Sequence, residues 1–211
     1  VLRPQKGQVL LDQKEIWTYK SKDLARKMGL MPQSAQVPEG ITVFDLVSRG
    51  RFPYRQAFKT MDTKDLDAIQ VAMEWMDITD IADKQVDSLS GGQRQRVWMA
   101  LALAQDTDIL FLDEPTTFLD IQYQIEILDR LYELNQKKQI TILMVLHDIN
   151  LAVRYSHQLF ALKKGKLVAQ GEPKDILTSS LIKEVYGLEC KIIEDPYYHC
   201  PMVLPIGKHK A

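Results

Sequence analysis

Two short apolar runs stand out along the chain, at residues 109–112 and 142–146, and polar residues bound each of them. A strand that is buried on both faces of a parallel sheet gives this pattern, because it has no solvent-facing side. Helical patterns separate the two runs, which favours βαβ alternation. We therefore expect an α/β fold built on a parallel sheet.

The segment from Thr42 to about residue 76 follows a helical pattern instead. Thr42 and Asp62, or its neighbour Thr63, are suitable helix N-caps. Apolar residues recur there at helical spacing, which predicts one buried face. These residues are Leu66, Ile69, Val71, Ala72, Met73 and Met76. Together these signals predict an all-helical insert of roughly 45 residues.

Weaker patterns cover the rest of the chain. Turn-forming residues separate these segments, and Lys164-Gly165 is typical of a tight hairpin turn. In chain order the patterns predict a strand at 8–11, a helix at 22–28, a strand that ends at Pro32, a helix at 93–104, a hairpin at 159–168, a helix at 174–185 and a hairpin at 191–205.

Composition excludes some classes of function. The chain has 27 basic and 28 acidic residues, so it carries no electrostatic footprint for nucleic acid. Its two cysteines, Cys190 and Cys200, belong to no Cys/His cluster, which indicates a reducing cytoplasm rather than a disulfide framework. No apolar run approaches the roughly 20 residues that a membrane span needs. If the protein works at a membrane, we expect it to do so through a partner.

The first apolar run ends in two carboxylates, Asp113 and Glu114. Ligands of open α/β sheets bind at the carboxyl ends of the strands, so these side chains are candidates for a site. One carboxylate can hold Mg²⁺ through its water shell, and the other can orient and deprotonate an attacking water. The alternative is a strand that ends in a solvated acidic turn.

A glycine-containing turn, Leu89-Ser90-Gly91-Gly92-Gln93, precedes the acidic strand end by one helix and one loop. Two glycines allow the backbone to approach a phosphate, and the following helix offers N–H groups at its positive end. Ser90 adds a hydroxyl donor. A Ser-Gly-Gly turn alone is a common helix entry, but its position before an acidic strand end is a far rarer coincidence.

Two further polar residues follow strands. His147 comes directly after the second apolar run and becomes a candidate contact for a γ-phosphate if it lies beside the two carboxylates. The alternative is a histidine that only forms a hydrogen bond at a strand end. Gln33 ends a third strand in the same manner, and by itself it indicates no function.

In their order and approximate spacing these residues resemble the ABC ATPases, over essentially the whole chain. The motifs that carry the resemblance are Gln33, Leu89-Ser90-Gly91-Gly92-Gln93, the Asp113-Glu114 strand end, Thr117-Phe118-Leu119-Asp120 and His147. ABC proteins usually have Ser-Ala-Leu-Asp where this chain has Thr117 to Asp120. The resemblance implies a P-loop NTPase (RecA-like) parallel-sheet core with an all-helical signature subdomain.

The resemblance also implies a role for each residue, with ATP and Mg²⁺ as cofactors. Glu114 would be the catalytic base and His147 the switch histidine. Asp113, as the Walker B aspartate, and Gln33, as the Q-loop glutamine, would contact Mg²⁺, and Gln33 would also sense the γ-phosphate. The signature would contact ATP bound to the opposite subunit, and Asp120 would lie at the dimer interface; the signature residues are Ser90, Gly91, Gly92 and Gln93.

A segment of the helical insert narrows the resemblance to one group of ABC importers. Gly50-Arg51-Phe52-Pro53-Tyr54 is similar to the Gly-Arg-x-Pro-His of ATPases that power ferric siderophore, haem and cobalamin importers. The hydroxamate siderophore importers look most similar, which implies uptake of iron. The alternative for residues 51–54 is a proline-broken loop between helices. In such importers the permease and the external binding protein select the cargo, so this substrate is inferred by analogy.

The resemblance implies partners and a domain plan. The partners would be a second ATPase subunit in a homodimer, a polytopic membrane permease and, indirectly, an extracytoplasmic substrate-binding protein, with no nucleic acid. The protein would then lie at the cytoplasmic face of the membrane as a peripheral subunit. We expect four segments: ATPase core at 1–38, helical subdomain at 39–92, ATPase core at 93–172, and a C-terminal helix with a small hairpin at 173–211.

A phosphate-binding loop is expected to read Gly-x-x-x-x-Gly-Lys-Ser/Thr, and none of the ten glycines fits it. The N-terminal P-loop segment of the fold is therefore expected to be lacking, with residue 1 near the end of the P-loop helix. Without that loop we expect the chain alone to be inactive, because nothing holds the β- and γ-phosphates. The alternatives are a truncated, non-hydrolysing ABC ATPase fragment and a soluble ABC ATPase not tied to transport.

Overall fold

The computed structural model describes residues 3–31, 38–55, 60–117 and 119–207. The chain divides into two compact units, Val1–Val145 and Leu146–Ala211. The division into four segments at residues 38, 92 and 172 stays a prediction. Within the described ranges no helix is long and apolar enough to cross a membrane.

The first unit alternates strands and helices. Its strands are β1 (Leu10–Leu11), β2 (Lys14–Glu15), β3 (Met28–Met31), β4 (Ile109–Asp113) and β5 (Thr141–Val145). Its helices are α1 (Ser21–Ala25), α2 (Val43–Ser48), α3 (Thr63–Trp75), α4 (Gly91–Ala104) and α5 (Ile121–Lys138). The strand that was expected at residues 8–11 is only the first half of the small antiparallel hairpin β1–β2.

A three-stranded parallel sheet forms the core of the first unit. Its strand order is β3-β4-β5, and β4 pairs in parallel with a strand on each side. Leu110 and Leu112 of the central strand are each 2% exposed. Helix α5 connects β4 to β5, which is the crossover that parallel neighbours require. The expected α/β fold with a parallel sheet is confirmed.

The second apolar run is less buried than its sequence suggests. Strand β5 alternates between partly buried and exposed residues, and Leu143 and Val145 are 42% and 53% exposed. The prediction of burial on both faces is therefore wrong for this strand. Residues 141, 143 and 145 share one face of the strand, and the described part of the chain covers that face only in part.

The segment before α4 is helical, as expected. Thr42 caps α2, because its Oγ1 accepts a hydrogen bond from the Asp45 N–H at 3.1 Å. Asp62 caps α3 in the same way, with its Oδ1 2.9 Å from the Asp65 nitrogen. Short 3₁₀ turns at Arg49–Arg51, Thr79–Ile81 and Val86–Ser88 complete the segment.

The buried face of α3 differs in part from the expected one. Four of the six expected residues are buried, namely Ile69, Ala72, Met73 and Met76. Leu66 and Val71 are instead 44% and 38% exposed. At about 100° per residue Leu66 lies to the side of the buried stripe and Val71 on the opposite face of the helix, whereas Asp65 lies on the stripe. Asp65 is only 7% exposed, so a carboxylate occupies a position where the pattern suggested an apolar side chain.

A buried ion pair explains that carboxylate. Arg51 Nε lies 2.8 Å from Asp65 Oδ1, and Arg51 Nη1 donates to the Ala104 carbonyl at 2.9 Å. The ring of Tyr54 covers the guanidinium, with its centroid 3.9 Å from the central carbon. These contacts tie the turn after α2 to both α3 and α4. The segment from residue 50 to 54 is therefore a structural joint and not merely a proline-broken loop.

Gly50 is required at this joint for a steric reason. A Cβ atom built on Gly50 would lie 2.4 Å from the Leu101 carbonyl oxygen, which is a backbone atom of α4. Contacts this short do not occur for real Cβ atoms, and a backbone atom cannot rotate away. The backbones of the joint and of α4 are therefore in direct contact.

The second unit is smaller. Its elements are α6 (Ile149–Tyr155), β6 (Leu159–Lys163), β7 (Lys166–Gly171), α7 (Pro173–Ile176), α8 (Ser179–Tyr186), β8 (Cys190–Glu194) and β9 (Pro201–Pro205). Both expected hairpins form, as β6–β7 and β8–β9. Its core comprises Val153, Leu177, Ile182, Cys190 and Val203. Cys190 and Cys200 are both free thiols.

One expected helix of the second unit is two helices. The prediction of a continuous helix over residues 174–185 is wrong, because α7 ends at Ile176 and α8 begins at Ser179. Thr178 between them has an extended backbone, and its Oγ1 accepts from the Leu181 N–H at 3.1 Å. A threonine in this role starts a new helix instead of continuing the old one.

Candidate functional site

The two acidic residues lie where the central strand of the parallel sheet ends. Asp113 is the last residue of β4, and its side chain is exposed. Glu114 follows with φ of 53°, in the left-handed region that residues other than glycine seldom adopt. The chain therefore turns sharply at Glu114, directly after the end of β4.

Hydrogen bonds within the turn hold the Glu114 side chain. Thr117 Oγ1 donates to Glu114 Oε2 at 2.9 Å, and the Thr117 N–H donates to the Glu114 carbonyl at 3.2 Å. Pro115 and Thr116, between these two residues, are buried. We refer to residues 114–117 as the acidic turn. It presents one carboxylate in a fixed position at the carboxyl end of the sheet.

The Ser-Gly-Gly-Gln motif forms the start of α4. Ser90 is the N-cap: its Oγ accepts from the Gln93 N–H at 3.3 Å, while Gln93 Oε1 accepts from the Ser90 N–H at 3.2 Å. This reciprocal pair is a capping box. The N–H groups of Gly91 and Gly92 have no acceptor within the described part of the chain, and a Cβ on Gly91 would meet nothing within 4 Å. The helix start is thus open to an anion, which it favours electrostatically.

The starts of α4 and α5 lie side by side. Asp120 caps α5 by accepting from the Tyr123 N–H at 3.1 Å. A Cβ on Gly92 would lie 3.6 Å from the Tyr123 ring and 3.8 Å from the Leu119 side chain. Leu119 and Tyr123, on either side of Asp120 in the sequence, therefore lie close to Gly92 at the start of α4. The expected role of Asp120 stays a prediction. Its carboxylate already serves as a helix cap.

A residue that the sequence did not single out joins the helix start to the acidic turn. Gln95 lies on α4 five residues after Ser90, and its Nε2 donates to the Pro115 carbonyl at 2.8 Å. Neither Gln95 nor the Thr117 bond to Glu114 was expected. A polar residue within a helix carries no signal of its own, whereas a threonine three residues after an acid in a turn could have indicated the second bond.

Two expected site residues lie outside the part of the first unit that the structure describes. Gln33 lies outside the described residues, as does Phe118. His147 belongs to the second unit and comes two residues after the end of β5. The next residue, Asp148, caps α6 by accepting from the N–H groups of Asn150 and Leu151 at 2.8 and 3.0 Å. The roles of Gln33 and His147 stay predictions.

The carboxylate of Asp113, directly before the acidic turn, suits Mg²⁺ that arrives with a nucleotide. In the ranges that the structure describes, no group of three or more His, Cys, Asp or Glu side chains could hold a metal ion. Asp113 offers one exposed carboxylate. Magnesium is usually bound through one or two carboxylates together with substrate phosphates and water, so a single carboxylate fits this mode and does not fit a permanent metal centre.

Comparisons with known proteins agree with the geometry. The family model described as "ABC transporter" matches residues 1–117. The ferric enterobactin transport ATP-binding protein FepC of Escherichia coli K12 is 50% identical over 208 residues, which cover 99% of this chain and 77% of that protein. The iron(3+)-hydroxamate import ATP-binding protein FhuC of Bacillus subtilis is 43% identical over 204 residues, covering 97% and 76%.

Solved structures give the same picture. A metal-chelate type ABC transporter in an inward-facing conformation superposes with a TM-score of 0.79. It is 28% identical, and the match covers 86% of this chain and 73% of that one. The expected P-loop NTPase (RecA-like) class of fold is thereby confirmed, together with the resemblance on which it rested.

Proposed function

Because the chain belongs to the ABC transporter family, we propose that it is the ATP-hydrolysing subunit of an importer that takes up ferric siderophores. The observation that carries the proposal is the open, glycine-containing start of α4, which Gln95 joins to the acidic turn at 2.8 Å. The names of the relatives FepC and FhuC support the cargo class, since both refer to transport of chelated iron. They also favour transport over a soluble ABC ATPase.

We assign hydrolysis to the acidic turn. Glu114 orients an attacking water and accepts its proton, while the Thr117 hydroxyl, 2.9 Å from Glu114 Oε2, keeps the carboxylate in one orientation. Asp113 would hold Mg²⁺, and Gln33 would be a second contact for the ion. When bound, Mg²⁺ supplies positive charge that offsets the charge of the phosphates. His147 is the proposed contact for the γ-phosphate.

We further propose that two subunits form a homodimer. Ser90, Gly91, Gly92 and Gln93 are at an exposed helix start, where they can contact ATP bound to the opposite subunit; a two-fold axis then gives two equivalent contacts. Asp120 lies beside this surface. The homodimer would bind a polytopic permease at the cytoplasmic face of the membrane, as a peripheral subunit, and an extracytoplasmic binding protein would deliver the cargo.

A transport assay tests the proposal. Deleting the gene should abolish uptake of ⁵⁵Fe carried by a siderophore, and the wild-type gene supplied in trans should restore it. Uptake of ⁵⁵Fe without a siderophore serves as the control, and it should be unaffected by the deletion. Unchanged siderophore-dependent uptake in the deletion strain, which carries no second copy, would contradict the proposed cargo.

We also expect the polypeptide of 211 residues, prepared by itself, to show no Mg²⁺-ATP turnover above background. Its sequence contains no Gly-x-x-x-x-Gly-Lys-Ser/Thr segment to hold the β- and γ-phosphates. Phosphate release is the measurement. The comparison is the native gene product, by which we mean the polypeptide purified as its gene encodes it. Turnover that is present in the polypeptide and disappears in its Glu114→Gln variant would contradict this expectation.

A further inference from the structure

Gln95 makes a contact that the capping of α4 does not need. The helix is already started by the reciprocal bonds between Ser90 and Gln93, at 3.2 and 3.3 Å. Gln95 instead donates to the Pro115 carbonyl at 2.8 Å, across a sequence separation of 20 residues. Both partners are partly or fully buried, so water competes little for this bond.

The acceptor of this bond lies directly beside an unusual backbone position. Glu114 precedes Pro115 and has φ of 53°. A residue other than glycine keeps such a conformation only where its surroundings impose it. The two bonds from Thr117 to Glu114 lie within the acidic turn, so they cannot fix the turn relative to the rest of the unit. The bond from Gln95 fixes the acidic turn relative to α4, because Gln95 belongs to that neighbouring helix.

We propose that Gln95 is a positioning residue for the carboxylate of Glu114. Through its bond to Pro115, the helix whose start contacts the opposite subunit's nucleotide also sets the direction of the general base in its own subunit. Gln95 touches neither the nucleotide nor the water, and it acts only through the acidic turn. This inference rests on the proposed function, because it takes Glu114 to be the base.

The variant Gln95→Met tests the inference in the native gene product, since methionine has a similar length and no N–H donor. We expect kcat for Mg²⁺-ATP to fall roughly ten-fold, because a small misplacement of a reacting group slows the chemical step. The KM for ATP should remain as in the wild type, and the thermal midpoint should fall by about as much as in the control variant Asn135→Leu, because each variant leaves one carbonyl without its donor. If Gln95→Met does not fold, Gln95→Glu removes the same donor. An unchanged kcat, or a loss of ATP affinity in step with kcat, would overturn the inference.

A matched control removes a similar bond elsewhere in the same unit. Asn135 Nδ2 donates to the Ile140 carbonyl at 2.8 Å, between the end of α5 and the start of β5. Asn135→Leu should lower the thermal midpoint and leave kcat unchanged. If Asn135→Leu reduces kcat as much as Gln95→Met does, loss of any such bond has the same effect, and the inference fails.

A second background separates the inference from the proposed function. In Glu114→Gln, Gln95→Met should not reduce the residual turnover further, because there is no base left to position. A further ten-fold loss in that background would show that Gln95 acts by another route. If Glu114→Gln itself keeps full turnover, the assignment of the base is wrong, and this result appears without any Gln95 variant.

Discussion

Glu114→Gln in the native gene product should reduce kcat for Mg²⁺-ATP hydrolysis by about 10²–10⁴-fold while ATP still binds. An amide cannot accept the proton of the attacking water. Its oxygen can still accept the hydrogen bond from Thr117, which is 2.9 Å from the carboxylate oxygen in the wild type, so the shape of the acidic turn should persist. Phosphate release measures the loss of turnover, and equilibrium binding measures the retained affinity for ATP.

The variant should also accumulate an ATP-bound homodimer, because the nucleotide that holds two subunits together is no longer consumed. Size-exclusion chromatography with Mg²⁺-ATP measures this. Glu133→Gln provides the matched control, since Glu133 is an exposed residue of α5 whose side chain is 60% accessible and pairs with Lys137. Turnover close to that of the wild type in Glu114→Gln would refute the assignment of the base.

Asp65→Ala should lower the free energy of unfolding by about 3–5 kcal/mol, the usual cost of leaving one member of a buried ion pair uncompensated. The Arg51 side chain is 7% accessible, and in the variant its guanidinium would keep the Ala104 carbonyl, 2.9 Å away, but would lose the carboxylate that balances its charge. Total stabilities of domains are about 5–15 kcal/mol, so the loss would be large. Denaturant-induced unfolding followed by circular dichroism gives the value.

Two comparisons make this prediction specific. Asp67→Ala removes an exposed carboxylate from the same helix, and it should change stability by no more than about 0.5 kcal/mol. Replacing both members of the buried pair, as Arg51→Met with Asp65→Leu, should cost less than Asp65→Ala alone, because no buried charge remains. A loss for Asp65→Ala as small as that for Asp67→Ala would show that the pair contributes little.

Features that depend on neighbouring residues were predictable from the sequence. Thr42 and Asp62 cap helices because a side-chain oxygen reaches an N–H three residues ahead, and the sequence alone contains that information. The strand that ends at Asp113 was equally clear, since its apolar run is bounded by polar residues. The glycine-containing start of α4 also formed where it was expected.

Features that depend on distant residues were not predictable in this way. Asp65 is buried because Arg51, which lies 14 residues earlier, reaches it across the joint, and helical periodicity cannot register such a partner. The contact between Gln95 and Pro115 spans 20 residues and joins a helix to a turn. Partial exposure of β5 likewise depends on which elements cover it. A run of apolar residues does not encode that.

The contact at Gly50 has a mechanical consequence. Backbone lies against backbone there, since even a Cβ on Gly50 would come within 2.4 Å of the Leu101 carbonyl oxygen. Elsewhere, side chains between two elements can change rotamer and so absorb a small displacement. No side chain lies between Gly50 and Leu101 to do this. A displacement of the residues around Gly50 should therefore displace α4 directly. The same helix begins at the Ser90 cap and contains Gln95.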